Sequence, residues 1–316
     1  MLPMSDREYN LIVVLGPTAS GKTRLAVELA RTFGGEIISA DSRQVYRGLD
    51  IGAGKDLSLY GAGPNAVRYH LIDVAGLEEE YSVFRFQRDC FGTLADLFSR
   101  GVVPIVAGGT GLYLDAVLSR YRMVDVPENA ELRREMAALS DEALRARLSR
   151  LKPDMHNSTD ITERSRLVRA VEIAEYSRIH EPEPAPRFKA ILLGARWPRE
   201  DLRQLIGERL KHRLEHGLID EVSGLIRQGV PREKLQFLGL EYRYVEDYLS
   251  GRIASKQALH QQLHVAIGQF AKRQETWFRR MERQGHVIHW IARGDAKTAV
   301  GILAAHGFRP RETSFQ

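Results

Sequence analysis

Leu11-Ile12-Val13-Val14-Leu15 is an unbroken apolar run that stops at Gly16. A run this short, without polar alternation, predicts a strand covered on both faces, as in a parallel sheet. A Gly-rich loop follows, and then helical spacing over Lys22–Phe33. Residues 36–40 read as a second strand and residues 69–74 as a further one. Val83–Ser99 places apolar residues at helical spacing. Residues 102–106 return to strand and stop at Gly108-Gly109, and residues 110–119 open another helix. Strands alternating with helices predict an α/β fold with a parallel sheet flanked by helices.

The pattern changes near Tyr121. Residues 128–176 carry no clear strand and many Arg, Glu and Leu, which predicts a helical insertion. Glu181-Pro182-Glu183-Pro184-Ala185-Pro186 closes it with a stiff, helix-breaking linker. Residues 190–195 resume the sheet. Residues 199–281 are helical, with breaks near Gly217, Gly229-Val230-Pro231 and Gly251, and residues 287–291 read as a last strand. The tail from Arg309 is expected to fray. The predicted organisation is a core of residues 1–120 and 187–316, interrupted by a helical insertion domain at 121–186.

Composition narrows this picture modestly. The 316 residues are 43% hydrophobic, an ordinary globular fraction. Forty-six Lys and Arg against 41 Asp and Glu leave a net +5, which suits a polyanionic partner or simply a basic surface. Cys90 is the single cysteine, so neither an internal disulfide nor a cysteine-based zinc site can form; its apolar surroundings make it a packing residue. No apolar run approaches the roughly 20 residues that span a bilayer. The polar start, residues 1–9, has no signal-peptide pattern. The expectation is a soluble, cytoplasmic monomer without a membrane partner.

Gly16-Pro17-Thr18-Ala19-Ser20-Gly21-Lys22-Thr23 matches G-x-x-x-x-G-K-[ST], between a predicted strand and a predicted helix. Glycines let the backbone wrap an anion, its N–H groups point inward, and the helix N-terminus adds positive potential. Lys22 supplies a mobile charge and Thr23 a hydroxyl for Mg²⁺. The motif specifies a phosphate ester rather than ATP, since a diphosphate offers the same oxygens.

Ligands in open parallel sheets bind beyond the carboxyl ends of strands. Asp41 in Asp41-Ser42-Arg43-Gln44 and Thr110 in Gly108-Gly109-Thr110 stand at such ends. Asp41 can hold Mg²⁺ through water, take a proton from a nucleophile, or merely shape a turn. Thr110 can meet a ligand or cap a helix.

At this point the chain resembles the tRNA dimethylallyltransferase (tRNA isopentenyltransferase) family. The residues are GPTASGKT at 16–23, DSRQVYRGLDI at 41–51, HLID at 70–73, FQRD at 86–89 and GGTGLY at 108–113. RLVRAVE at 166–172 and AKRQ with TWFR at 271–274 and 276–279 complete the series, in order along the chain. The resemblance implies a P-loop NTPase-like core with dimethylallyl diphosphate in the phosphate loop. Lys22, Mg²⁺ on Thr23 and backbone amides would stabilise the leaving diphosphate. Thr18 would touch the bridging oxygen, and Asp41 would take the proton from N6 of adenosine 37 in the tRNA anticodon stem-loop. Arg209 stands in the place of a diphosphate-binding arginine, or is a solvated helix residue. The base would have to leave its stack. The tRNA contacts implied are Asp41, Ser42, Arg43, Gln44, Thr110, Ser165, Arg166, Leu167, Val168 and Arg169, with the segment 236–241. Phosphate contacts would come from Arg164, Lys272, Arg273, Arg279, Arg280 and Arg283.

Three segments depart from the family pattern. Gly239-Leu240-Glu241 stands where Gly-Tyr-Lys or Gly-Tyr-Arg is usual, Ile267-Gly268-Gln269 where Thr-Arg-Gln is usual, and Gly52-Ala53-Gly54-Lys55-Asp56 where Gly-Thr-Ala-Lys-Pro is usual. The reading this suggests is an intact donor site with a changed acceptor side. His260 and His264 share a helix face but lack a third metal ligand. Trp277 can stack on a base or fill the core. The rival functions are a small-molecule P-loop kinase, an isopentenyltransferase on free adenine nucleotide, and a silent RNA-binding paralogue.

Overall fold

The structure, a computed structural model, describes residues 8–121, 123–151, 163–182 and 184–311. The polar start, the end of the tail, part of the insertion and Glu183 of the linker lie outside the described residues. The chain divides into two compact units: Met1–Ser119 with Pro186–Gln316, and Arg120–Ala185.

In the larger unit the apolar runs pair as a six-stranded parallel sheet. Its strands are β1 (Leu11–Leu15), β2 (Gly35–Ser39), β3 (Tyr69–His70), β4 (Val103–Gly108), β5 (Ala190–Arg196) and β6 (Ile288–Ala292), in the order β3-β2-β4-β1-β5-β6. β1 is fully buried, flanked by β4 and β5, with Val14 opposite both Ala107 and Leu193. That placement explains why it shows no polar alternation. The helices around the sheet are α1 (Lys22–Phe33), α2 (Val83–Ser99) and α3 (Gly111–Leu118), then, beyond the insertion, α7 (Arg199–Glu215), α8 (Leu218–Arg227), α9 (Arg232–Leu235), α10 (Leu240–Leu249), α11 (Lys256–Arg283) and α12 (Ala296–Ala305). Two apolar clusters fill the unit. One includes Val13, Phe86, Leu114, Leu210 and Phe278, and the other Ile12, Val14, Leu29 and Leu303. Alternate residues of β1 thus feed opposite sides of the sheet. The smaller unit is helical, with α4 (Ala130–Ala137), α5 (Asp141–Leu151) and α6 (Arg164–Tyr176) around Met136, Leu144, Leu148, Leu167 and Val171.

One strand is shorter than expected. Only Tyr69 and His70 of residues 69–74 pair, because Leu71 and Asp73 take left-handed φ of 60° and 58°. Asp73 turns to meet Lys55 Nζ at 2.5 Å, and the same ammonium reaches Asp50 Oδ1 at 2.6 Å and donates to the Tyr46 carbonyl. Lys55 is 1% exposed, so these oxygens replace its water. Several motif residues are braces of this kind. Phe86 stacks on Tyr113 at 4.0 Å, Gln87 donates to the Ala116 carbonyl, and Tyr81 donates to Asp89. Cys90 is buried, and burial raises its thiol pKa, as a packing role requires.

Glu36 on β2 accepts from Arg100 at 2.8 and 3.0 Å and lies 2.8 Å from His70 Nε2. The Arg100 hydrogen bond holds its pKa down at about 2, against the opposing effect of burial. A folded-state pKa below the unfolded one stabilises above the unfolded value, and the gain is lost as pH falls through the folded value. Glu36→Gln is therefore expected to lower stability by about 2 kcal/mol at pH 7, discounted for the one-third exposure of Arg100. Urea melts at pH 7 and pH 2 check this: the gap should narrow sharply at the lower pH, and a gap of unchanged size there refutes the linkage.

Candidate active site

After β1 the backbone turns through Gly16–Gly21 into α1. Ala19 and Gly21 take left-handed φ of 62° and 81°, which bends the loop back on itself. A Cβ at Gly16 would stand 2.6 Å from Ser20 Oγ and 3.1 Å from the Ala195 carbonyl, so a side chain there would open the loop. Trp197 Nε1 donates to the Ser20 carbonyl at 2.9 Å. Gln274 on α11 braces the loop from above. Its Oε1 accepts from Thr18 N at 2.9 Å and its Nε2 donates to the Gly109 carbonyl at 2.8 Å. Gly109 in turn has no room for a Cβ beside Gln274 Nε2, Gly16 O and Lys22 Cε. Glycine is thus required where three chain segments meet. Two buried polar atoms lack a partner among the described residues, Ser20 Oγ in this loop and Trp277 Nε1, whose ring packs against Gly111.

Lys22 opens α1 at the floor of the loop. Burial pulls its pKa down to about 8; Asp41 and Asp56 oppose that pull, and Arg209 and Arg213 add to it. An ammonium in this state gains strongly from an arriving anion. Thr23 follows it, half-buried in the first turn.

Asp41 follows β2 and is half-buried. Its Oδ1 accepts from Arg43 N at 2.9 Å, a turn-forming bond that engages one carboxylate oxygen. Thr110 stands at the N-cap of α3, yet its hydroxyl makes no cap bond; it accepts from Ser42 N at 3.1 Å and joins the β2 and β4 loops. Gln44 is buried, accepting from Ser39 Oγ at 2.8 Å and donating to the Gly54 carbonyl at 3.0 Å. It is a brace within the protein. Ser42 and Arg43 are half-buried at the same rim.

Beside the phosphate loop lies a narrow crevice with two characters. Ala19, Ile206, Leu210 and Ile267 form an apolar side, and Thr18, Arg209, Arg213 and Glu241 a polar one. Arg209 pairs with Asp56, and Arg213 Nη1 lies 3.5 Å from Glu241 Oε1. Burial lowers the Arg213 pKa, with Arg209 adding to the effect; burial raises that of Glu241, with Arg213 opposing. Glu241 and Ile267 thus line the crevice with Thr18 and Ala19 of the phosphate loop, and Gly54 lies against Arg209 and Arg213. Tyr242 is buried, donating to Glu221 and accepting from Ala53 N, and a Cβ at Gly52 would strike its ring.

Residues expected at RNA divide by their surroundings. Lys272 and Arg273 are exposed on α11. In the smaller unit Ser165 and Arg166 are exposed, with Arg166 beside Glu163 at 3.0 Å. Leu167 is 0% exposed and packs into that unit's core, and Val168 packs partly against it. Arg169 donates to the buried Glu172 and to the Val126 carbonyl, and Arg164 donates to three carbonyls at the end of α4. Gln236 donates to the buried Glu246 at 2.7 Å. His264 lies 3.0 Å from the Arg203 carbonyl. Sequence reasoning named Gln274 only within AKRQ, without a role, and passed over Arg213. The spacing of Arg213, four residues after Arg209 on one helix, was the available signal.

The family model for IPP transferase matches residues 44–281, and that for isopentenyl transferase matches residues 9–60. tRNA dimethylallyltransferase 1 of Geotalea uraniireducens is 57% identical over 89% of this chain and 92% of its own length. tRNA dimethylallyltransferase 2 of Trichlorobacter lovleyi is 55% identical over 89% and 92%. The solved structure of the full-length tRNA isopentenylpyrophosphate transferase from Bacillus halodurans superposes with a TM-score of 0.67 at 29% identity, covering 95% of this chain and 97% of that one. With its phosphate loop, the carboxylate after β2 and matches that run across both units, the chain belongs to the tRNA dimethylallyltransferase family.

Proposed function

We propose that this protein transfers a dimethylallyl group from dimethylallyl diphosphate to N6 of adenosine 37 in a tRNA anticodon stem-loop, giving N6-(dimethylallyl)adenosine. The observation that carries this reading is the two-sided crevice. The phosphate loop adjoins apolar residues on one side and two arginines with Glu241 on the other, the residue types a prenyl diphosphate would need, although the crevice between them admits little more than a water. In the reaction the N6–C1 bond forms as the C1–O bond to diphosphate breaks. The bonding electron pair leaves with the diphosphate, and the N6 proton passes to Asp41. An exocyclic adenine amine is a weak nucleophile because its lone pair is conjugated into the ring. Two features offset this: the loop amides with Lys22 and Arg209 stabilise the leaving charge, and Asp41 keeps a carboxylate oxygen beyond its turn bond. Thr18, whose N–H donates to Gln274, would touch the bridging oxygen.

Mg²⁺ fits this arrangement. Among the described residues no cluster of three or more His, Cys, Asp or Glu offers a protein cage. Mg²⁺ characteristically keeps its waters and binds substrate phosphates with one or two protein ligands. The Thr23 hydroxyl would supply such a ligand, with Asp41 contributing through water. The ion would neutralise diphosphate charge. Among the described residues no helix is long and apolar enough to cross a membrane.

Incubation with labelled dimethylallyl diphosphate, Mg²⁺, unmodified tRNA and competing AMP tests the reading. Label is expected in tRNA and not in AMP, and γ-labelled ATP is expected to yield no phosphorylated product; the reverse pattern would overturn the assignment. Asp41→Asn keeps an oxygen for Arg43 N but no base. It is expected to reduce transfer about a hundredfold or more while donor affinity holds, measured by single turnover and by calorimetry. Donor binding should also be pH-dependent. Burial lowers the Lys22 pKa to about 8 in the free protein, and a bound diphosphate would hold its proton in place. Affinity is therefore expected to be level below pH 8 and to fall by up to about tenfold per unit above it, with proton uptake on binding. Titration calorimetry at about pH 8.5, just above that value, in buffers of different ionisation enthalpy reads this, and Lys22→Arg should remove the uptake. Equal heats in all buffers for the unaltered protein would contradict it.

A further inference from the structure

Arg209 and Arg213 stand one turn apart on α7, and both guanidinium groups close over the same backbone position: a Cβ at Gly54 would collide with each of them. Lys22 lies within electrostatic range of both. Two arginines thus line the crevice next to the phosphate loop with Lys22 near enough to feel both, an arrangement that repels itself unless anions answer it. In the ligand-free protein two carboxylates do so, Asp56 for Arg209 and Glu241 for Arg213. The second pair is loose. Arg213 and Glu241 side chains are only 11% and 18% exposed, yet their single contact is 3.5 Å long, from a guanidinium with five donors. Burial works against the charged form of each partner, so neither is as well solvated as it would be in water. Gly54, Asp56 and Glu241 all meet at these two arginines.

From this convergence we infer that Arg213 is a second diphosphate-binding arginine and Glu241 its built-in counter-ion. Glu241 holds the guanidinium at the crevice until the diphosphate replaces it. The inference rests on the donor reading given above and extends it to two residues outside the phosphate loop. It makes Arg213 a binding residue, and Glu241 a positioning residue that acts through it.

The two residues should then have effects of opposite sign. Calorimetry with dimethylallyl diphosphate and with inorganic pyrophosphate on the full chain tests this, beside thermal melts with and without pyrophosphate. Arg213→Leu is expected to weaken both ligands about ten- to a hundredfold and to raise the donor KM more than it lowers kcat. Glu241→Gln is expected to tighten pyrophosphate at least about threefold. It should also lower the melting temperature of the free protein, and saturating pyrophosphate should restore it. A pair that only props α7 against α10 would lower the melting temperature in both variants and leave both affinities unchanged, which overturns the inference. Should Arg213→Leu not fold, Glu241→Gln decides alone, since unchanged or weaker pyrophosphate binding contradicts a counter-ion. An unaltered protein that binds neither ligand removes the donor reading together with this inference. An unaltered protein that binds both, with both variants matching it, removes the inference alone.

Discussion

Gln274 accepts from the Thr18 N–H with one end of its amide and donates to the Gly109 carbonyl with the other, and the phosphate loop and the β4 loop keep their spacing through it. The bond to Gly109 is buried and the bond from Thr18 partly so, and an unmet buried amide costs about 1–3 kcal/mol. The constraint acts outward. Gly109 must lack a side chain to admit the amide, Gly16 must lack one to let the loop close, and Lys22 is left against the Gly109 backbone. α11 therefore does more than cover the sheet: it sets the shape of an anion site formed by the other end of the chain.

Around that frame the ions are arranged in opposed pairs. Lys22 faces Asp41 and Asp56, Arg209 meets Asp56, and Arg213 meets Glu241. Several of these charges are poorly solvated, and their pKa directions follow from that more than from any one partner. Such a site gains more from a polyanion than a well-hydrated surface of the same net charge would. The brace residues contrast with this. Lys55 and Glu172 are more deeply buried but well matched by local oxygens or donors, and they hold loops and helices in place.

The sheet, the insertion and the phosphate loop were legible in the sequence because each depends on local pattern: apolar runs, a change of periodicity, glycines at fixed spacing. Asp41 and Thr110 were legible as strand-end residues, though not the bond by which Thr110 joins Ser42. Motif runs mixed two roles that spacing cannot separate. In DSRQ, Asp41 is half-buried at the rim after β2 while Gln44 is buried in support, and in the stretch from Ser165 to Arg169, Leu167 packs inward. The truncation of β3 came from a tertiary ion pair between Asp73 and Lys55. The pairing of Arg213 with Glu241 is likewise tertiary, and no local pattern announces it.

The insertion has a kinetic consequence. β1 has its other neighbour, β5, on the far side of that helical unit in the chain, and Lys189 N reaches Asn10 Oδ1 across 179 positions. On a ribosome β1, β2 and β4 can assemble early, but one edge of the innermost strand stays bare until the whole insertion has emerged. An apolar edge exposed for that long invites pairing with other nascent chains, and late closure of the loop slows folding. The accessory unit thus lengthens the interval during which the catalytic core depends on being shielded while it is made.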